Sequence, residues 1–562
     1  MSTEGKRALI AAGRKIVFAG LILLIVWLIL LVLRHAIPVN VVNQINTGRK
    51  IPVSRDSATW DWNKSIWTGH TVAQDINPRI SLTMQLIGLT GLFSLIIAGI
   101  TLSVGFFIRR FTEKPNWLAR LRSILRVVLV SSSSSILILT FGPLSVGMMV
   151  IFHIYGWNWW LPANSSPLIY LAALCACILP AGLLTQTGHG ELAKWPGNTP
   201  FRTLAYHGII KLVIRLLRLI GIIIVVTLEI GIGSLLLQST LSGDFPVVFG
   251  IIWIFVLIVV AAKLVANLLE IAYNYANKTL ANIEQDKSES PLRFAIPQWW
   301  LIFSLALVVL IVLVAIIGPL LAPYGMNEIH LIDRLSPPSA KYLLGTDQLG
   351  RDIFSRLLYG IRIDVLIGIA CAAVVTIAAA GWGMLAAYCG KMNNWTGDTL
   401  EDLVMLPKEI VCALPWLALI WLIISFNPLS MSTVFPAVIC GLVMLPRAAG
   451  MVQEAYLSAP KGKSCLQGVL WSLPVVFLFA TASVIIYFSA ISYVGLGVPP
   501  GVPELGTMLS NEGRQYLFTA PRLGLWPAFC LSLIIFTFMM TGDALLERVG
   551  FRSKAVWSKT ME

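Results

Sequence analysis

The chain has 562 residues, of which 57% are hydrophobic and 12% charged, with a net charge of +14. An ordinary soluble domain is about 25% charged, so this composition excludes a soluble globular protein. The positive charge is concentrated in particular loops rather than spread along the chain, which argues against a nucleic-acid-binding role.

Crossing about 30 Å of hydrocarbon takes about 20 apolar residues free of central charge, and twelve stretches meet that requirement. In chain order they lie near 16–33, 80–108, 127–152, 166–186, 210–228, 247–262, 297–321, 364–388, 410–426, 432–446, 473–493 and 523–542. The expected fold class is an all-α integral membrane protein. The first stretch follows Lys6, Arg7, Arg14 and Lys15, but runs into Arg34-His35-Ala36-Ile37-Pro38 with no small-residue cleavage site, so it reads as a retained anchor.

Residues 109–126 hold six Lys/Arg against one acid and 186–218 hold five against one, whereas the intervening loop 154–165 holds none. By the positive-inside rule the two basic loops face the cytoplasm, and so do both termini. The eight cysteines fall mostly within spans and show no metal-ligand spacing; they read as packing residues.

One interval, 274–298, is long, polar and mixed in charge, and we place a cytoplasmic linker there. It divides the chain into halves 1–273 and 299–562. Each half has the same order: an anchor span, a long extracytoplasmic segment (about 36–79 and 322–363), three spans, a cytoplasmic loop and two further spans. Six spans per half keep both halves in one orientation, a parallel repeat.

Leu343 to Gly368 reads LLGTDQLGRDIFSRLLYGIRIDVLIG, and it is followed much later by SYVGLGVPP (Ser492 to Pro500), ELGTML (Glu504 to Leu509) and TGDALLERV (Thr541 to Val549). These motifs closely resemble the C-type permeases of the dipeptide/oligopeptide/nickel ABC importer family, over about 297–550. The first half resembles the B-type partner through Asp244-Phe245-Pro246-Val247-Val248 before its last span. The resemblance implies two type I importer permease halves fused in one chain, moving a small solute such as a peptide across the bacterial inner membrane. It further implies separate ATPase subunits, two copies or a heterodimer, which bind the ATP, and an extracytoplasmic solute-binding protein; no cofactor is expected in this chain.

The resemblance also marks candidate sites. In the second half Gln453 to Pro474 corresponds to the family's ATPase coupling loop, with Glu454, Ala455, Tyr456, Ala459 and Gly462 as counterparts. In the first half the matching segment is Phe201 to Leu217, with Arg202, Thr203, Gly208 and Arg215, and no glutamate-alanine-alanine core. Outside the membrane, residues 345–362 read as a short amphipathic helix, because Asp347/Arg351 and Asp352/Arg356 are i,i+4 pairs with the acid first. Such a helix is either a solvated cap on the bundle or a docking surface for the binding protein.

Gly462-Lys463-Ser464 imitates the end of a phosphate-binding loop, but the glycine required five residues earlier is Leu457 and no strand precedes it. No ATPase activity of the chain's own is expected. An ion-coupled secondary transporter is the rival class and requires acids or histidines within the spans. The runs 80–108, 127–190, 365–390, 410–446 and 464–503 contain no acid.

Overall fold

In the computed structural model the described residues are 3–36, 63–65, 68–111, 184, 201–220, 232–241, 244–276, 298–392, 395–413, 420, 433–457, 465–493, 498–499, 501–513, 516 and 519–549. They are almost entirely helical. The first half contributes α1 (Thr3–Ala36), α2 (Val72–Phe111), α3 (Phe201–Arg218), α4 (Ile232–Leu241) and α5 (Phe245–Ala276). The second half contributes α6 (Gln298–Leu321), α7 (Ile353–Gly390), α8 (Trp395–Ala413), α9 (Val434–Leu457), α10 (Cys465–Tyr493) and α11 (Arg522–Val549).

Among the described residues eight helices are long and apolar enough to cross a membrane: those containing Ala12–Val32, Val72–Ile100, Phe245–Tyr273, Trp299–Leu321, Ile353–Gly390, Val434–Leu457, Leu466–Tyr493 and Arg522–Leu546. The expected spans at 127–152 and 166–186, the linker and most of 410–426 lie outside the described residues. Trp299, Ile302, Val309, Ile316 and Leu320 are all exposed on α6, at helical spacing. An apolar stripe of this kind faces acyl chains in a bilayer, where exposure of hydrocarbon carries no penalty.

Small residues set the core of the second half. A Cβ on Gly383 of α7 would stand 2.4 Å from the Ala449 carbonyl of α9, and one on Gly368 would stand 2.5 Å from Ile485 of α10. These glycines let the backbones approach, which is how helices associate where lipid supplies no hydrophobic drive. Around the contacts Val375, Ala379, Met444, Val452, Phe479 and Phe488 form one buried cluster.

The first half has its own core, with Ile22, Val26, Ile232, Val248, Ile252 and Val256 at its centre. Asp244 begins α5 and its carboxylate accepts the hydroxyl of Ser65, tying the start of that helix to the segment ahead of α2. Leu406 and Ile410 of α8 pack against this first-half core. Ion pairs accompany them, with Arg14 Nε 3.3 Å and Lys15 Nζ 4.0 Å from Asp402, and Lys263 Nζ 3.6 Å from Glu409.

The sequence reading needs correction at the start of α7. The helix begins at Ile353, after a looped segment, and continues through the whole span to Gly390, so 345–362 is not a separate amphipathic helix. The charges that seemed to demand solvent are instead buried against a partner distant in sequence, which lets the span start eleven residues earlier than its apolar run.

Candidate functional site

The outer segment of the second half is shaped by two glycines in the left-handed region. Gly345 has φ +83° and Gly350 φ +75°, and a Cβ on Gly350 would lie 1.8 Å from the His330 carbonyl. Only glycine allows that approach. The loop then closes on itself: Leu335 N–H donates to the Asp347 carbonyl at 3.0 Å, and Asp347 N–H donates to that of Arg351 at 3.0 Å.

Its charged residues turn inward. Asp347, Arg351, Asp352 and Arg356 are 0%, 8%, 2% and 4% exposed. Arg351 Nε donates to Asp347 Oδ2 at 2.6 Å. Glu512 Oε1 accepts from Arg351 Nη2 at 2.8 Å and from Arg356 Nη2 at 3.0 Å. Asp352 plays another part, capping α7 by accepting from the backbone and hydroxyl of Ser355 at 2.8 and 2.7 Å. The four are therefore not exposed i,i+4 pairs on a solvated helix: Asp347, Arg351 and Arg356 form a buried charge cluster with Glu512, and Asp352 is spent on the helix cap. Burial pushes the Glu512 carboxyl above its ordinary range, and the Arg356 and Arg351 guanidiniums oppose that shift.

Glu512 was not among the sequence candidates. It lies in the short polar stretch between ELGTML and α11, SNEGRQYLFTAP, where a charge reads as a solvated loop residue. A second acid, Glu504 at the start of ELGTML, accepts from the N–H groups of Gly506 and Thr507 at 2.9 and 2.8 Å, and burial raises its carboxyl. It faces Asp364, wholly buried on α7 at the outermost residue of the expected span 364–388. The face of the outer loop that does meet solvent carries Ile329, Leu331, Ile332 and Leu343. Beside it, hydrogen bonds from Lys341 and Tyr342 hold the Asp333 carboxyl below the usual carboxylate range.

At the opposite end α9 runs on to Leu457, so Glu454, Ala455 and Tyr456 form its last turn. Ala459 and Gly462 lie outside the described residues. The preceding residue, Gln453, donates to Glu401 of α8 at 2.6 Å, and Lys391 after α7 lies 4.6 Å from the Tyr456 ring centroid. The end of α9 is thus held between α7 and α8. In the first half, Phe201 to Leu217 lies within one continuous helix, α3. It includes the backbones of Arg202 and Thr203, whose side chains lie outside the described residues. Among the described residues nothing lies within 4 Å of a Cβ added to Gly208, while Arg215 is buried. Arg218, just beyond, pairs with Glu270 and donates to Asn267 of α5.

Comparison with known proteins places this architecture. Residues 299–338, covering α6 and the start of the outer loop, match the family described as the N-terminal TM domain of oligopeptide transport permease C. The di/tripeptide transport system permease protein DppC of Pseudomonas aeruginosa is 32% identical over 273 residues, which cover 88% of that protein and 45% of this chain. The chain belongs to the family of dipeptide and oligopeptide transport permeases.

Other relatives of this permease agree. The dipeptide transport system permease protein DppC of Haemophilus influenzae is 27% identical over 301 residues, 99% of that protein and 48% of this chain. The oligopeptide transport system permease protein OppC of Bacillus subtilis is 29% identical over 260 residues, 83% of that protein and 43% of this chain. The permease is a multi-pass membrane protein, as its eight apolar helices require.

Proposed function

We propose that the chain carries both halves of a peptide-importer permease of the bacterial inner membrane. Residues 1–273 serve as one half, 274–298 as a cytoplasmic linker and 299–562 as the other. The observation that carries this reading is one of length. A match that covers 88% of a relative occupies 45% of this chain, leaving room for a second permease half. The contacts of α8 with α1 and α5 support pairing of the two halves within the chain.

The chain supplies the gate, and separate ATPase subunits, two copies or a heterodimer, supply the energy. Nucleotide-driven closure of the ATPases shifts the gate only if they bind one permease conformation better than the other. Glu454, Ala455, Tyr456, Ala459 and Gly462 form the second coupling site; Arg202, Thr203, Gly208 and Arg215 form the first. Both termini lie in the cytoplasm. In support, Arg14 and Lys15 near the start of α1 and Gln453 near the end of α9 both bond to the first turns of α8, on one side of the bundle.

On the other side an extracytoplasmic solute-binding protein docks. Asp347, Arg351, Asp352 and Arg356 act there by fixing the loop whose outer face it meets. The transported solute is a peptide, as in the systems that the relatives' names describe.

The test is uptake of labelled dialanine by a peptide-permease-deficient bacterium expressing this chain with the ATPase and binding-protein genes beside its own. Uptake that needs all components supports the reading. Uptake without any ATPase, or ATP hydrolysis by the purified chain alone, rejects it.

A further inference from the structure

Basic side chains from both halves converge where α5 meets α8 and α9. Lys263 of α5 reaches Glu409 of α8, Lys408 precedes Glu409 in the chain, and Arg447 of α9 lies against the thiol of Cys412 near the end of α8. Glu409 is engaged by Lys263 at 3.6 Å. Lys408 lies along α9, its Nζ 3.0 Å from where a Cβ on Gly450 would stand, one turn beyond Arg447. Arg447 donates to the hydroxyl of Tyr487, and among the described residues its Nε has no acceptor.

Among the described residues neither Lys408 nor Arg447 has a carboxylate within ion-pair distance. Among the described residues these three cations thus stand beside one acid, Glu409, where α5 meets α8 and α9. Uncompensated charge inside a membrane-spanning bundle is costly, and such residues face an interior path or a ligand. A guanidinium with free N–H groups suits the planar, two-oxygen geometry of a carboxylate.

We propose that Lys263, Lys408 and Arg447 form an anion subsite between the halves that takes the terminal carboxylate of the transported peptide. This rests on the peptide-permease reading for the identity of the solute, but the excess of cations stands without it. The ammonium groups draw the carboxylate toward the contact between halves, and Arg447, steadied by Tyr487, orients it. Glu409 keeps Lys263 at the edge of the site.

The reporter is Cys412 itself, in the full chain reconstituted into liposomes with every other cysteine replaced by alanine. Its labelling rate is measured with a sulfonate-bearing and a trimethylammonium-bearing methanethiosulfonate, each normalised to its rate with a free thiol. The anionic reagent is expected to react about 10-fold faster, the low end of focusing by clustered like charge. Arg447→Gln and Lys408→Gln each bring the ratio toward one, whereas Arg447→Lys preserves it, which separates charge from folding. Dialanine protects Cys412, and dialanine amide does not.

Equal rates for the two reagents, or a thiol that reacts with neither, would overturn the subsite. Equal protection by dialanine and its amide, or protection by neither, would remove the peptide carboxylate as its occupant. If the anionic preference is intact but the unmodified transporter takes up no dipeptide, the peptide reading fails and the anion subsite remains.

Discussion

Arg351 and Glu512 are 161 residues apart in sequence, yet their side chains meet at 2.8 Å in a buried site on the outer side of the second half. The bond ties the loop ahead of α7 to the segment ahead of α11. Arg356 joins it at 3.0 Å, so a single carboxylate oxygen gathers two guanidiniums. Removing one partner from a buried pair leaves an uncompensated charge, which costs about 3–5 kcal/mol. Arg351→Met is therefore expected to lower the stability of the purified chain by about 3 kcal/mol, measured by denaturant or thermal unfolding in detergent. A double-mutant cycle with Glu512→Gln is expected to show strong coupling; additive effects would show that the two residues act separately.

The ion pair between Arg14 and Asp402 joins the two halves, but its side chains are 29% and 25% exposed. Pairs of this exposure contribute about 0.2–1 kcal/mol. Arg14→Asp alone is expected to reduce stability by no more than that, and the exchange Arg14→Asp with Asp402→Arg to restore it. A loss as large as that for Arg351→Met would mean that the contact between halves is far drier than its exposure implies.

Gly350→Ala tests the loop geometry independently of charge. The residue needs φ +75° and has no room for a methyl group beside the His330 carbonyl. Strain in the left-handed region and the clash together cost at least 1–3 kcal/mol. Proteolysis of the outer loop in the variant is expected to accelerate relative to the parent, while cleavage elsewhere keeps its rate.

Asp333 gives a pH dependence. Its carboxyl is held below the ordinary range chiefly by the hydrogen bond from Lys341, then by that from Tyr342. A depressed carboxylate contributes above its unfolded-state value, and that contribution is lost as pH falls through the folded-state value. Protease protection of the 326–345 loop is thus expected to hold at neutral pH and to fall in acid. Asp333→Asn should have the lower protection at neutral pH and converge with the parent in acid; a parent and variant with the same protection across the whole pH range would reject this role.

The two proposed coupling sites are expected to be unequal. The second has Glu454-Ala455, held by Gln453 and Tyr456 between neighbouring helices, and the first is basic. Gly462→Trp should reduce uptake and ATPase co-purification more than Gly208→Trp at equal abundance in the membrane. Among the described residues nothing stands beside Gly208, and equal abundance of its variant in the membrane separates a docking loss from a folding defect. Wild-type behaviour of Gly462→Trp beside loss in Gly208→Trp would reverse the assignment.

The sequence determined what depends on local composition. Uninterrupted apolar runs announced the spans, because a helix is the form in which one segment satisfies its own backbone in lipid. The Leu343 to Gly368 motif indicated the family, since its glycines and charges are fixed by a loop that tolerates few alternatives. Charge destination was not legible. Asp347/Arg351 had the spacing of a solvated helix face, and nothing in that spacing shows that Glu512 arrives from another segment to bury it. The Lys263, Lys408 and Arg447 cluster was equally hidden, since each residue looked like a span boundary until packing brought α5, α8 and α9 together. Burial is set by which surfaces meet, and that is decided by contacts between residues far apart in the chain, so only the tertiary structure could distinguish a solvated charge from one enclosed with a partner.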